Sequence, residues 1–242
     1  MVFLTGVAAG AVNTLAGGGS LLTLPVFMLL VGLPAPIANA TSRVAVLVQS
    51  LAAAATYRRG GIGGAALALR LAPPVCVGSL AGAWLATRVP AEPLERVMGV
   101  VFLLCVPLLV TSQRFGKTRR EPRKVHPAWI LLVSLAVGLY SGFLQAAVGI
   151  PILLLLVWGL GTDAVEANHA KVLLIAASMV VALAVFVRAG QVDYRYGAIA
   201  ACGQALGAFV GARLVIKKGL TVIRWALAFA VAASALEMLG AF

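Results

Sequence analysis

The stretch "LAGGGSLLTLP" (residues 15–25) decides how the chain folds. It is apolar, yet three consecutive glycines, Gly17, Gly18 and Gly19, stand in its middle. Glycine weakens a helix, and an interrupted helix in lipid leaves backbone N–H and C=O groups unpartnered. That cost is tolerated only where the open backbone is buried in protein or lines a cavity. In a membrane setting, the stretch predicts a broken helix turned toward an internal site.

The composition supplies that setting. Of 242 residues, 62% are hydrophobic and only 11% charged, with a mean hydropathy of +1.05. A soluble domain is roughly half apolar and about a quarter charged. Runs of about 18 or more apolar residues recur, where a barrel would show shorter alternating strands. The expected fold class is all-α, a polytopic helical membrane protein. The first residues, "MVFLTGVAAG", lack the basic start of a cleavable signal peptide. The net charge of +12 could point to nucleic acid, but six of the nineteen basic residues lie in "QRFGKTRREPRKVHP" (113–127). Most others flank apolar segments, which is the positive-inside pattern and speaks against a nucleic-acid partner. Cys76, Cys105 and Cys202 all sit in apolar runs without metal-like spacing and read as core residues. With no P-loop, zinc spacing or nucleophile elbow, neither an enzyme nor a cofactor or metal is expected.

The chain also repeats itself. "GVAAGAVNTLAG" (6–17) lines up with "GLYSGFLQAAVG" (138–149), pairing Gly6, Gly10 and Gly17 with Gly138, Gly142 and Gly149, and Asn13 with Gln145. "GLPAPIANATS" (32–42) matches "GTDAVEANHAK" (161–171), pairing Asn39 with Asn168. "RRGGI" (58–62) matches "RAGQV" (188–192), and "GSLAGAWLATR" (78–88) matches "GQALGAFVGAR" (203–213). Four matches in one order indicate duplication. The chain then divides into a first transmembrane repeat (1–112), a basic linker (113–127) and a second repeat (128–242).

Each repeat reads as five apolar segments: 2–16, 20–33, 40–57, 63–86 and 93–112, then 128–148, 150–160, 168–187, 196–216 and 221–241. A full span needs about 20 residues, so the short segments at the start of each repeat read as half-helices or hairpins. Their breaks are expected at Gly17–Gly19 and at Gly149-Ile150-Pro151. An odd number of segments inverts the second repeat relative to the first. With the linker inside, fourteen basic residues fall on the inner side and five on the outer, as the inverted topology requires. Both termini are then expected outside.

Broken elements at equivalent positions of inverted halves mark a transporter's central site. Ser20 would open the helix after the glycines, where free N–H groups and the helix dipole seat an anion. "NATS" supplies Asn39, Thr41 and Ser42, and "NHAK" supplies Asn168, His169 and Lys171. Asn13 and Gln145 are polar groups expected to face the bundle interior. The candidate substrate-binding set is Asn13, Gly17, Gly18, Gly19, Ser20, Asn39, Thr41, Ser42, Gln145, Gly149, Asn168, His169 and Lys171. Other readings stand beside it: Asn39 and Asn168 as N-caps, Thr41 and Ser42 as packing residues, Lys171 snorkelling to the interface. Arg43 reads as an interfacial anchor and Glu237 as a solvent contact. The pairs Gly78/Gly82 and Gly203/Gly207 read as close helix packing.

At these residues the chain resembles the TauE/SafE sulfite exporter group of membrane permeases. The likeness rests on "GAVNTLAGGGSLLTLPVF" (10–27), "GLPAPIANATS" (32–42) and their second-half echoes, and spans nearly the whole chain. The resemblance implies a bacterial inner-membrane permease for small sulfur-containing anions. The expected function is a secondary transporter for a small oxyanion, sulfite or an organosulfonate, working by alternating access around a midplane site. Its partners would be that anion, the bilayer and a coupling ion, proton or sodium. The alternatives are an anion or solute channel, or a carrier of a carboxylate-type anion.

Overall fold

The computed structural model describes residues 1–16, 18–111 and 125–218, and these are helical with no strands among them. The linker residues 113–124, Gly17, the last expected segment (221–241) and Glu237 lie outside the described residues. In chain order the elements are α1 (Val2–Ala16), α2 (Ser20–Pro25, continued as a π-helix over Val26–Leu30) and α3 (Ala35–Arg59). There follow α4 (Ala65–Ala86), α5 (Ala91–Thr111), α6 (Pro127–Phe143) and α7 (Gly149–Leu153, continued as a π-helix over Leu154–Gly159). The last two are α8 (Ala164–Arg188) and α9 (Tyr194–Lys218). Helices α3, α4 and α8, and α9 over Tyr194–Leu214, are each long and apolar enough to cross a membrane.

Two turns that the sequence pairs share one geometry. Gly32 and Gly161 take the same left-handed φ of +78° and +68°, a conformation glycine adopts at little cost. Each turn is closed by equivalent bonds, Leu33 N to Phe27 O at 2.9 Å and Thr162 N to Leu156 O at 3.0 Å. Only the caps differ. Pro34 sets the start of α3, whereas the Asp163 carboxylate accepts from Val165 N and Glu166 N at the start of α8. Both helices therefore begin earlier than expected, and Asn39 and Asn168 sit inside the second turn, not at the cap. The same register carries Gly61 onto Gly190, both at positive φ, whereas the sequence match had set Gly60 against Gly190.

Packing crosses between the repeats. Helix α1 lies along α9, and α6 lies along α4. The glycines set these contacts: a Cβ on Gly207 would overlap the Val7 carbonyl oxygen, and one on Gly82 would overlap that of Leu139. Gly6 meets Ala200 while Gly211 meets Ala11, so α1 and α9 run parallel. Gly138 meets Val75 and Gly142 meets Ser79, so α6 and α4 do too. Helix α3 also packs on α9, with Thr41 holding Asp193 N at 2.9 Å near the start of both and Tyr57 clustering with Ala208 and Ala212 further along. Since α1 and α3 both follow α9, the chain reverses between them, and α1–α2 is a hairpin that returns to its starting end. The same holds for α6–α7, because α8 runs along α4 from Ala68 and Ala170 to Ala86 and Phe186. Two parallel trios result, α1–α3–α9 and α4–α6–α8. They meet at α3 and α8, which run antiparallel: Arg43 lies on Phe186 near one end and Tyr57 on His169 near the other.

Two helix breaks and two buried cations

Helix α1, at 15 residues, is about 22 Å long and stops short of a full span. Its end is built from the glycine stretch. A Cβ on Gly19 would overlap the Ala9 carbonyl oxygen, so the chain can double back this closely only without a side chain there. Gly19 N donates to Asn13 Oδ1 at 3.4 Å, and Asn13 Nδ2 donates to Gln49 Oε1 of α3 at 3.0 Å. Ser20 then opens α2, as expected.

The second break lies earlier than Gly149-Ile150-Pro151. Helix α6 ends at Phe143, residues 144–148 form the turn, and Gly149 and Pro151 belong to the first turn of α7. The turn is made by Gln145 at φ 60° and Ala147 at φ 51°, left-handed residues with side chains. The Tyr140 hydroxyl donates to Ala146 O and pins it from below. The two breaks meet at one atom. Ser20 Oγ donates to Gln145 O at 3.2 Å and accepts from Ala147 N at 3.1 Å.

Each broken helix leaves carbonyls without intrahelical partners, and each set is claimed by a buried cation from the other trio. Lys171, 0% exposed, donates from Nζ to Asn13 O (3.3 Å) and Thr14 O (3.2 Å) at the end of α1, and to Asn168 Oδ1 at 2.8 Å. Arg43, also 0% exposed, donates from Nη1 to Ser141 O at 2.8 Å. Its Nη2 donates to Gly142 O (2.7 Å) and Phe143 O (3.3 Å) at the end of α6, and to Asn39 Oδ1 (3.4 Å). Asn39 Nδ2 adds a bond to Phe143 O at 2.9 Å. Cations at helix C-termini oppose the negative end of the dipole. Among the described residues Arg43 forms no ion pair with a carboxylate, and its Nε has no hydrogen-bond partner.

Not every expected residue joins this cluster. Asn13, Gly19, Ser20, Asn39, Gln145, Asn168 and Lys171 gather at the two breaks, with Gly18 leading into the first and Gly149 leaving the second. Thr41 instead holds Asp193 N, and Ser42 bonds back to Asn39 O at 2.9 Å. His169 Nδ1 lies 2.9 Å from Ile62 O and 2.8 Å from Gly63 O, on the loop between α3 and α4. Arg43 is the residue that sequence reasoning placed elsewhere. It is no interfacial anchor but one of the largest fully buried side chains in the molecule. The available signal was spacing: Arg43 follows Asn39 by four residues and Lys171 follows Asn168 by three, both returning to the same helix face. Lys171 does not snorkel to the interface either. Further polar groups were missed on α2 and α9, where Gln204 Nε2 donates to Thr23 Oγ1 at 2.8 Å and Gln204 Oε1 lacks a partner.

Comparison with known proteins converges on one family. The sequence profile described as "Sulfite exporter TauE/SafE" matches residues 2–238. The "Probable membrane transporter protein YfcA" of Escherichia coli K12 is 32% identical over 227 residues, 93% of this chain and 83% of that protein. A "Probable membrane transporter protein" of Haemophilus influenzae is 28% identical, covering 93% of this chain and 88% of its own length. The "Probable membrane transporter protein ORF9" of a Sinorhizobium species is 28% identical over 98% of this chain and 91% of its own. No solved structure matches significantly.

Proposed function

The chain belongs to the sulfite exporter TauE/SafE family and is a multi-pass membrane transporter, and from that premise we propose that it carries a small oxyanion, sulfite or an organosulfonate, by alternating access. The observation that carries this reading is the pair of fully buried cations, Arg43 and Lys171, facing two helix breaks joined through Ser20. Ionisable groups in mid-membrane are costly and mark substrate pathways. An oxyanion brings the negative charge that the Arg43 guanidinium lacks, and it suits the hydroxyl and amide donors around it.

The packing supports a specific version of the movement. Polar links within a trio are numerous: Asn13 to Gln49 and Gln204 to Thr23 in one, Ser79 to Ser178 O and Ser141 to Ser178 in the other. The bonds that Arg43, Asn39, Lys171 and Ser20 make to the helix breaks join one half of this packing to the other. The rocking bodies are therefore α1–α3–α9 against α4–α6–α8, each drawing on both repeats, and not the repeats themselves. An anion at the breaks competes for the cross-seam donors and loosens the seam only while it is bound. The antiparallel trios support an inverted topology, and the bias of basic residues supports a cytoplasmic linker in a bacterial inner membrane.

Purified protein in proteoliposomes tests this by uptake of labelled sulfite and of a short sulfonate. Saturable uptake is expected, with a loss of at least about tenfold in a Ser20→Ala/Lys171→Met double variant, since each removed charge-assisted bond is worth about 1.5–3 kcal/mol. Flux no greater than through empty liposomes overturns the substrate, and undiminished flux in the variant overturns the site.

A further inference from the structure

One turn of α8 presents a second chemistry. Asn168 and Lys171 point to the helix breaks, but His169 lines a separate cavity of about 840 Å³ between the end of α3, the start of α4 and α8. Its other walls include Arg58, Arg59, Ile62, Ala65 and Leu173. We propose that this cavity is an oxyanion-binding vestibule at one mouth of the transporter, resting on the transport reading above for its purpose though not for its chemistry.

Three observations support it. Arg58 and Arg59 close the last turn of α3, where they are exposed and place two guanidinium groups at the cavity wall. Guanidinium forks match oxyanions in geometry and keep their charge at any working pH. His169 is only 4% exposed, and its Nδ1 faces two carbonyl oxygens, which accept and cannot donate. Nδ1 therefore donates to them, and Nε2 is the ring atom left for a ligand in the cavity. Tyr57 stacks on the ring at 5.7 Å between centroids and fixes its tilt.

The duplication provides an internal control. In the structural register of 129 positions, Arg58, Arg59 and His169 correspond to Val187, Arg188 and Ala40. The opposite mouth thus keeps one of the three groups, so the arrangement is not a by-product of repeat packing. The vestibule lies one helix width, about 10 Å, from the buried Lys171. It gathers anions beside the central site on one side only, the end at which α4 and α6 begin. A phosphate headgroup of an anionic lipid shares this chemistry with a free oxyanion.

The test uses full-length protein with Cys76, Cys105 and Cys202 replaced by serine and Ala65→Cys as a reporter thiol, reconstituted in vesicles. Labelling rates are compared for an anionic sulfonatoethyl and a cationic trimethylammonium-ethyl methanethiosulfonate. The anionic reagent is expected to be favoured by about tenfold over its ratio with free cysteine, the scale of local ion concentration by a charged cleft. Arg58→Gln/Arg59→Gln, at exposed positions that leave folding intact, should abolish the preference. Slowing of the labelling by inorganic sulfate in phosphatidylcholine vesicles identifies a free oxyanion as occupant. Slowing only on adding phosphatidylglycerol identifies the lipid headgroup. No charge preference, or one that survives loss of both arginines, overturns the vestibule. Labelling needs no transport, so a protein that moves no sulfite yet passes this test refutes the transport reading alone.

Discussion

The ends of α1 and α6 pose the same physical problem and receive different answers. Each is a helix C-terminus stranded inside the protein, and each is capped by a buried cation of the opposite trio that also donates to an asparagine on its own helix. At α6 the cation is Arg43, which reaches three backbone carbonyls with a planar fork and packs its guanidinium 4.6 Å from the Phe186 ring centre. At α1 it is Lys171, which reaches two with a single ammonium. The breaks differ as well. The first uses glycines, whereas the second forces Gln145 and Ala147 into left-handed geometry. Arg43 and Lys171 do not stand at matching positions, since the register of 129 sets Arg43 against Val172 and Lys171 against Ser42. Capping the stranded end is therefore the shared requirement, and neither the cation's position nor the turn that follows is.

Exchanging the cations puts that lesson under the greatest load. Arg43→Lys should cost more than Lys171→Arg, because an ammonium cannot hold three carbonyls in one plane. Arg43→Met should be worse than either, at about 1–3 kcal/mol for each buried carbonyl left without its donor. Thermal unfolding in detergent and sulfite flux measure the series, and equal losses at the two positions would end the distinction between the caps. A smaller effect is expected at the crossed helix pairs. Gly207→Ala and Gly82→Ala should each destabilise by about 1–3 kcal/mol, the usual cost of overpacking, and by similar amounts. A large cost at only one of them would mean that the two pairs are not equivalent. The least effect should come from Ala147→Gly, which relieves a left-handed alanine and makes the second break resemble the first. A gain of up to about 1 kcal/mol in the same melting assay is expected, and a loss would show that the alanine methyl matters more than its backbone.

Much of this was legible in the residues. Glycine spacing announced the close helix pairs, and the glycine stretch announced the first break because the close approach of Gly19 to Ala9 leaves no room for a side chain. The second break was displaced in the reading because Gly149 and Pro151 look like breakers, whereas the left-handed Gln145 and Ala147 leave no compositional trace. Arg43 was misplaced for a related reason. Periodicity says which face a residue occupies, but only tertiary packing says that the face is buried. The crossing of the repeats could not be read at all, since an internal match reports common descent and is silent on which neighbour a helix chooses.

That crossing has a consequence for biosynthesis. The hairpin of α1 and α2 has its partner in α9, seven elements later, so its glycine face must wait in lipid until α9 has been made.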